Sequence, residues 1–295
     1  MVPWLVERTK ATGDSKTKMR NEKWKMIYGK CFALALLLVS ASALSAQTVA
    51  TPSPSTPDDQ KAEAIVKRAV EVLGGNAYLN VHSVIGRGLY SIYKDGSSLP
   101  PLRFVDYIVY PDRERTEFSG SGGRVIQTNL EGKGWLYDGA AKTLKDMPAG
   151  QLEDFKIGIR TSTENLLHGW WRKEGGKITY AGRREAGLAR RNETVRLTYP
   201  DGFWIEFEFG AKDGLPAKVL YQRKQKKADS DEMEEVSEED RLYKPLIFEG
   251  VTALFVIDHF VAGVQSGRIN YESIDFNPTI ADSLFTKPAN VKAIK

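Results

Sequence analysis

"FWIEFEFGAKDGLPAKVLYQRK", Phe203 to Lys224, reads as two strands joined by a turn. In the first, Phe203, Ile205, Phe207 and Phe209 point one way, while Trp204, Glu206 and Glu208 point the other, because successive side chains of a strand alternate between faces. In the second, Val219 and Tyr221 are set two apart and share a face. Four large apolar side chains in a row need something apolar against them. That is either an ordinary core, the usual fate of such a face, or a hollow that holds an apolar ligand. The residues alone leave both open.

Short β segments lie on either side of this stretch. Before it come "SVIGRGLYSIYKDG", "LRFVDYIVYPDR", "ERTEFSGSGG", "RVIQTNLEGKG" and "GWLYDG", and later "KITYAGRREAG" and "ARRNETVRLTYP". After it come "ALFVIDHFVAG" and "GRINYESIDFNP". All are rich in Tyr, Val, Ile and Phe and are punctuated by Asp-Gly, Pro-Asp and Gly-Gly turn signals. Their short spacing predicts antiparallel neighbours. In the last segment Ile269 and Tyr271 are out of phase with Ile274 and Phe276, which predicts a bulge near Ser273. Residues 223–241, "RKQKKADSDEMEEVSEEDR", are basic first and acidic second with almost no apolar content, and read as a charged insertion forming a solvated hairpin loop.

Two regions break the β pattern. Thr56, Pro57, Asp58 and Asp59 form a helix start. Ala62, Ile65, Val66, Ala69, Val70 and Leu73 then make one helical face, and Gly74-Gly75 end it. In the middle of the chain, Leu152, Phe155 and Ile159 share a helical face. Thr161 and Glu164 have capping-box spacing, and Leu166, Leu167, Trp170 and Trp171 form an apolar stripe up to Gly175-Gly176.

The chain has 295 residues, 41% hydrophobic and 27% charged, with a formal charge of +4. That excess sits at the front: residues 1–30 carry eight Lys/Arg and three acids, so the remainder is near neutral and carries no nucleic-acid footprint. "MRNEKWKMIYGK", then "CFALALLLVSASAL", then "SALSAQ" is the basic, apolar, small-residue order of a secretory signal. Cleavage is expected after Ala46, with Ser45 as the alternative, and residues before Met19 read as an upstream extension. The only cysteine, Cys31, falls inside the signal without a lipoprotein context, so the exported protein is expected to lack disulfides. Residues 47–56 read as a disordered Pro/Ser/Thr linker, and 57–295 as a single domain.

No catalytic signature emerges. His82, His168 and His259 are far apart in sequence, with no carboxylates at zinc-site spacing. Asp258 and His259 are adjacent on a strand and so point to opposite faces. "SGSGG" at 119–123 lacks the glycine spacing of a nucleophile elbow, and no phosphate, dinucleotide or calcium loop is present. No catalytic residue, metal ligand or cofactor is predicted.

The order of elements resembles the periplasmic outer-membrane lipoprotein-sorting proteins, the LolA-like superfamily. "VEVLGGNAYLNVHSVIGRG", "GKGWLYDG", "AKDGLPAKVLY" and "INYESIDFNPTIADSLFTKP" carry the resemblance, which spans most of residues 60–290. It implies an α+β fold, mainly antiparallel β, with a strongly curved half-barrel sheet. The N-terminal helix and the central helical excursion would cover its concave face. It also implies a non-enzymatic binder of lipids or lipoprotein acyl chains in the bacterial periplasm. On that reading the ligand would meet Phe203, Ile205, Phe207, Phe209, Val219, Tyr221, Trp170 and Trp171. Two alternatives stand beside it: an envelope interaction or sensor domain using the 223–241 segment, and an exported hydrolase.

Overall fold

A computed structural model describes residues 56–226 and 232–294. The signal, its cleavage after Ala46, Cys31 and the linker up to residue 55 lie outside the described residues. Helix α1 (Pro57–Leu73) starts on a reciprocal cap: Thr56 Oγ1 accepts from the Asp59 amide, and Asp59 Oδ2 accepts from the Thr56 amide. It ends at Gly74, with φ 128°, where a Cβ would lie 2.3 Å from the Gly250 carbonyl oxygen. Only glycine admits both that backbone and that contact. A short helix α2 (Asn76–Leu79) follows.

The strands are β1 (Ser83–Lys94), β2 (Ser97–Ser98), β3 (Leu102–Val109), β4 (Arg113–Gly120), β5 (Gly123–Leu130), β6 (Lys133–Asp138) and β7 (Thr143–Asp146). Then come α3 (Ala149–Thr161), α4 (Thr163–Leu167) and a 3-10 turn (Trp170–Glu174). The sheet resumes with β8 (Lys177–Glu185), β9 (Arg191–Thr198), β10 (Trp204–Gly210), β11 (Pro216–Lys226), β12 (Met233–Phe248), β13 (Val251–Val261) and β14 (Val264–Phe276). They form one antiparallel sheet in the order β7-β6-β5-β4-β3-β1-β14-β13-β12-β11-β10-β9-β8, with β2 paired to β1 alone. The sheet is an unclosed, curved half barrel. Consecutive strands are hairpin neighbours, and β1 meets β14 in the middle. One connection must therefore travel from edge β7 to edge β8, and the helical excursion is that connection.

The concave face of β9–β11 is the main core. Phe207 sits opposite Val195 and Val219 in the register. All three are buried with Ile205, Phe209 and Leu197 beneath Ala62, Val66 and Ala69 of α1 and Leu166, Leu167 and Trp171 of the excursion. The opposite side of β10 is also covered. Glu206 receives Arg184 at 2.9 Å and Arg196 at 2.7 Å, and Glu208 receives Lys218 at 2.7 Å and the Asn192 amide at 2.9 Å. The long aliphatic stems lie over the sheet and shield both carboxylates. On the other half, the C-terminal segment packs over the convex face. Phe285 is buried there, with Trp135 Nε1 donating to its carbonyl at 2.9 Å and Arg115 donating to that of Leu284 at 2.8 Å.

The predicted bulge is present. Arg87 pairs with Ser273 and Gly88 with Tyr271, so Glu272 is the extra residue. A Cβ on Gly88 would lie 2.0 Å from the Asn270 carbonyl, which is why the narrow strand passes there. Two expectations are corrected. The cap of α4 is Ser162, whose hydroxyl accepts from the Asn165 amide, while the Thr161 hydroxyl turns back to the Ile157 carbonyl. Residues 223–241 are not a solvated loop: apart from Glu232 and from 227–231, which lie outside the described residues, they are paired strand, Arg223 opposite Val236 and Tyr221 opposite Glu238. Val236 and Glu238 are buried. Opposite charges on the two strands (Lys224 faces Glu235) support pairing, and charge hid a β alternation that apolar periodicity would have revealed.

Candidate functional site

The sheet curves away from α3 and leaves a hollow of about 370 Å³ between them. Its walls are Val84, Tyr90, Phe104 and Phe118 on one side and Val219, Leu242, Ile257 and Ile269 on the other. Phe155 and Ile159 of α3 face it from above and are only half-buried. Two of the three stripe residues of α3, Phe155 and Ile159, thus face the hollow; the one buried residue of the helix is Thr161. At one end, aromatic rings close together. His168 stacks on Trp170 at 4.7 Å, Tyr110 lies 5.4 Å from Trp170, and Tyr78 lies 5.2 Å from His168. Burial lowers the His168 pKa, favouring the neutral ring, and raises those of the Tyr78 and Tyr110 hydroxyls well above the usual phenol value.

The eight residues singled out from sequence divide. Trp170, Val219 and Tyr221 line the hollow. Ile205, Phe207, Phe209 and Trp171 are buried in the core cluster and absent from its walls, and Phe203 packs on that cluster, near Tyr199 and Tyr221. The face is continuous: Ile205, Phe207 and Phe209 lie wholly within the core formed with α1 and Trp171, whereas Val219 and Tyr221 of β11, buried too, also border the hollow.

Two polar groups also line the hollow, and neither was anticipated. Along one cross-strand row the apolar pair Phe207 and Val219 gives way to Asp240 and His259. His259 Nδ1 lies 2.6 Å from Asp240 Oδ1, and the Tyr221 hydroxyl donates to Glu238 at 2.6 Å. Arg223 bridges Asp154 of α3 (2.8 Å) and Glu238 (2.7 Å). Its Nε is bent out of hydrogen-bond alignment with Glu238, so that second contact is an ion pair without a hydrogen bond. This cluster ties α3 to the sheet. Asp258, on the other face as its position required, takes Arg268 at 2.8 Å. The signal for the cluster was present in Glu238, Asp240 and Leu242, spaced by two, but Glu239 and Arg241 between them masked the alternation.

The second group lies on β3–β5. Thr116 Oγ1 is 2.8 Å from Asp106 Oδ1 and 3.2 Å from Glu114 Oε1. Asn129 stands opposite Glu114 in the register, and Gln127 opposite Thr116. Burial, and then the neighbouring Glu114 charge, push the Asp106 carboxyl well above the ordinary carboxylate range, against the Thr116 hydrogen bond. Among the described residues, no group of three His, Cys, Asp or Glu side chains is arranged to hold a metal ion, and no helix is long and apolar enough to cross a membrane.

Solved structures share this architecture. Some 78% of the chain aligns with 98% of a DUF1329 family protein from Desulfovibrio piger, at TM-score 0.54 and 11% identity. A LolA superfamily protein from Nitrosomonas europaea gives 0.51 at 11% identity, over 77% of this chain and 97% of that one. A domain assigned to outer membrane lipoprotein sorting from Vibrio parahaemolyticus gives 0.50 at 12% identity over the same shares. At these identities the likeness is one of fold. No protein-family model and no curated protein sequence matches the chain.

Proposed function

We propose that the protein is a non-catalytic periplasmic carrier or binder of lipids or lipoprotein acyl chains, with the apolar chain lodged in the hollow. The observation that carries this reading is the hollow itself. At about 370 Å³ it falls within the roughly 300–1,000 Å³ typical of small-ligand sites, and like them it has mostly apolar walls with a few placed polar groups. The half-buried stripe of α3 supports the reading too, since a helix held by few core contacts and by ion pairs at Asp154 and Arg160 can yield to an entering chain. The secretory signal expected from the sequence and the fold shared with lipoprotein-sorting proteins agree with it. Trp170, Val219 and Tyr221 would meet the ligand, with Ile205, Phe207, Phe209 and Trp171 as the dry base beneath.

The test is native mass spectrometry of protein purified from cell envelopes, together with binding of a neutral apolar fluorophore. Copurifying lipid, and fluorophore binding weakened by Trp170→Ala in a folded protein, are the expected results. Protein that carries no lipid and binds no fluorophore would sink the reading. A second reading, an envelope protein-interaction domain, draws on Tyr243, Ile247 and Phe248, which are 46%, 74% and 42% exposed near the β12–β13 turn. It would be favoured if an envelope partner were lost on Ile247→Asp while fluorophore binding stayed intact.

A further inference from the structure

Resting on the carrier reading, we infer that the hollow selects an amphiphile with a cationic head. An alkylammonium group would sit among the acceptors of β3–β5, and its chain would lie along Phe104, Phe118 and Tyr90. Asp106, Glu114 and Asn129 converge there. One Thr116 hydroxyl lies within reach of both carboxylates but has a single hydrogen and satisfies one of them at a time. The Asn129 side chain is buried, lines the hollow, and its Oδ1 has no hydrogen-bond partner. Such an atom ordinarily costs stability. Even with the Gln127 amide on the same wall, opposite Thr116, the oxygens of Asp106, Glu114 and Asn129 outnumber the donors that face them, and an ammonium supplies three more.

The basic side chains that border the hollow are engaged elsewhere. Arg113 binds Glu131 at 3.3 Å and Asp282 at 2.9 Å, and Arg223 bridges Asp154 and Glu238. His259 is turned to Asp240. An anionic head placed at β3–β5 would add a negative charge beside Glu114 and Asp106, a pair in which burial already disfavours the second charge, with no compensating cation. A hard metal ion is a poorer fit than an organic cation. It takes six to eight oxygen ligands, and among the described residues no three His, Cys, Asp or Glu side chains are grouped to hold one. The aromatic walls, by contrast, suit both an alkyl chain and an ammonium group.

The experiment compares dodecylamine, dodecanol and dodecanoate below their aggregation limits by calorimetry, on the wild type, Glu114→Gln, and Asp106→Asn with Glu114→Gln. Circular dichroism monitors folding, and the single variant covers the case in which the double one fails to fold. We expect dodecylamine to bind roughly tenfold tighter than dodecanoate, the scale of one charge-assisted hydrogen bond. That preference should shrink in the variants while dodecanol affinity is kept. Dodecanoate binding as well as dodecylamine, or a preference untouched by the variants, overturns the cationic head and leaves the carrier reading standing. Binding of none of the three overturns both.

Discussion

Phe207→Ala measures where the core ends and the hollow begins. Phe207 is 1% exposed, and its register partners Val195 and Val219 are 0% and 3% exposed. Those partners sit on strands held by ladder bonds on both sides, so they cannot move in to fill the space left behind. A Phe-to-Ala change in a closed core costs about 3–5 kcal/mol through lost transfer energy and the cavity left behind. The rigidity of the surroundings points to the upper half of that range. In a chain of this size each kcal/mol lowers the melting temperature by about 2–4 °C, so the shift should be on the order of 10 °C. Urea unfolding followed by circular dichroism reads both the midpoint and the slope. Trp170→Ala is the control: it borders existing space, so it should cost distinctly less stability and more ligand binding. A Phe207→Ala loss below about 1.5 kcal/mol, less than the least expected of a Phe truncation in a dry core, would refute the placement. It would mean that the cavity already reaches β10.

Replacing residues 223–241 by a short turn should prevent stable folding, because Tyr221, Val236 and Glu238 pack together and β12 bridges β11 to β13. Retention of the native melting temperature would contradict that pairing. Asp106→Asn should raise the melting temperature at neutral pH. The folded protein holds this carboxyl above its unfolded pKa, so its contribution is fully present below the unfolded value and is lost as pH rises through the folded one. Below about pH 4, near the unfolded Asp pKa, the advantage should vanish, and an advantage independent of pH would argue against this cause. Arg223→Gln removes the bridge between Asp154 and Glu238. Hydrogen exchange in residues 149–161 should accelerate while that in β9–β10 stays slow, and uniform acceleration would show that the bridge supports the whole fold rather than α3.

The local elements follow from short-range chemistry along the chain. The 3.6-residue pattern from Ala62 to Leu73, the cap at Thr56 and the stop at Gly74 are short-range chemistry, and the helix follows them. The alternation of Phe203–Phe209 and the phase slip between Tyr271 and Ile274 are equally local, so a strand and a bulge were legible. The resemblance of the four quoted stretches pointed to the curved sheet, and the solved structures share it. What escaped were contacts whose meaning depends on distant chain. Residues 223–241 look solvated because Lys, Glu and Asp mark surfaces in isolation, yet two such runs of opposite sign can pair as strands. Asp106, Glu114 and Asn129 are ordinary polar residues until β3, β4 and β5 align them on one concave face. The opening question was decided the same way. Phe207 and Val219 face the same side of neighbouring strands and both are buried, and only the packing of α1 and Trp171, far from both in the chain, places Phe207 wholly inside the core while Val219 also borders the hollow.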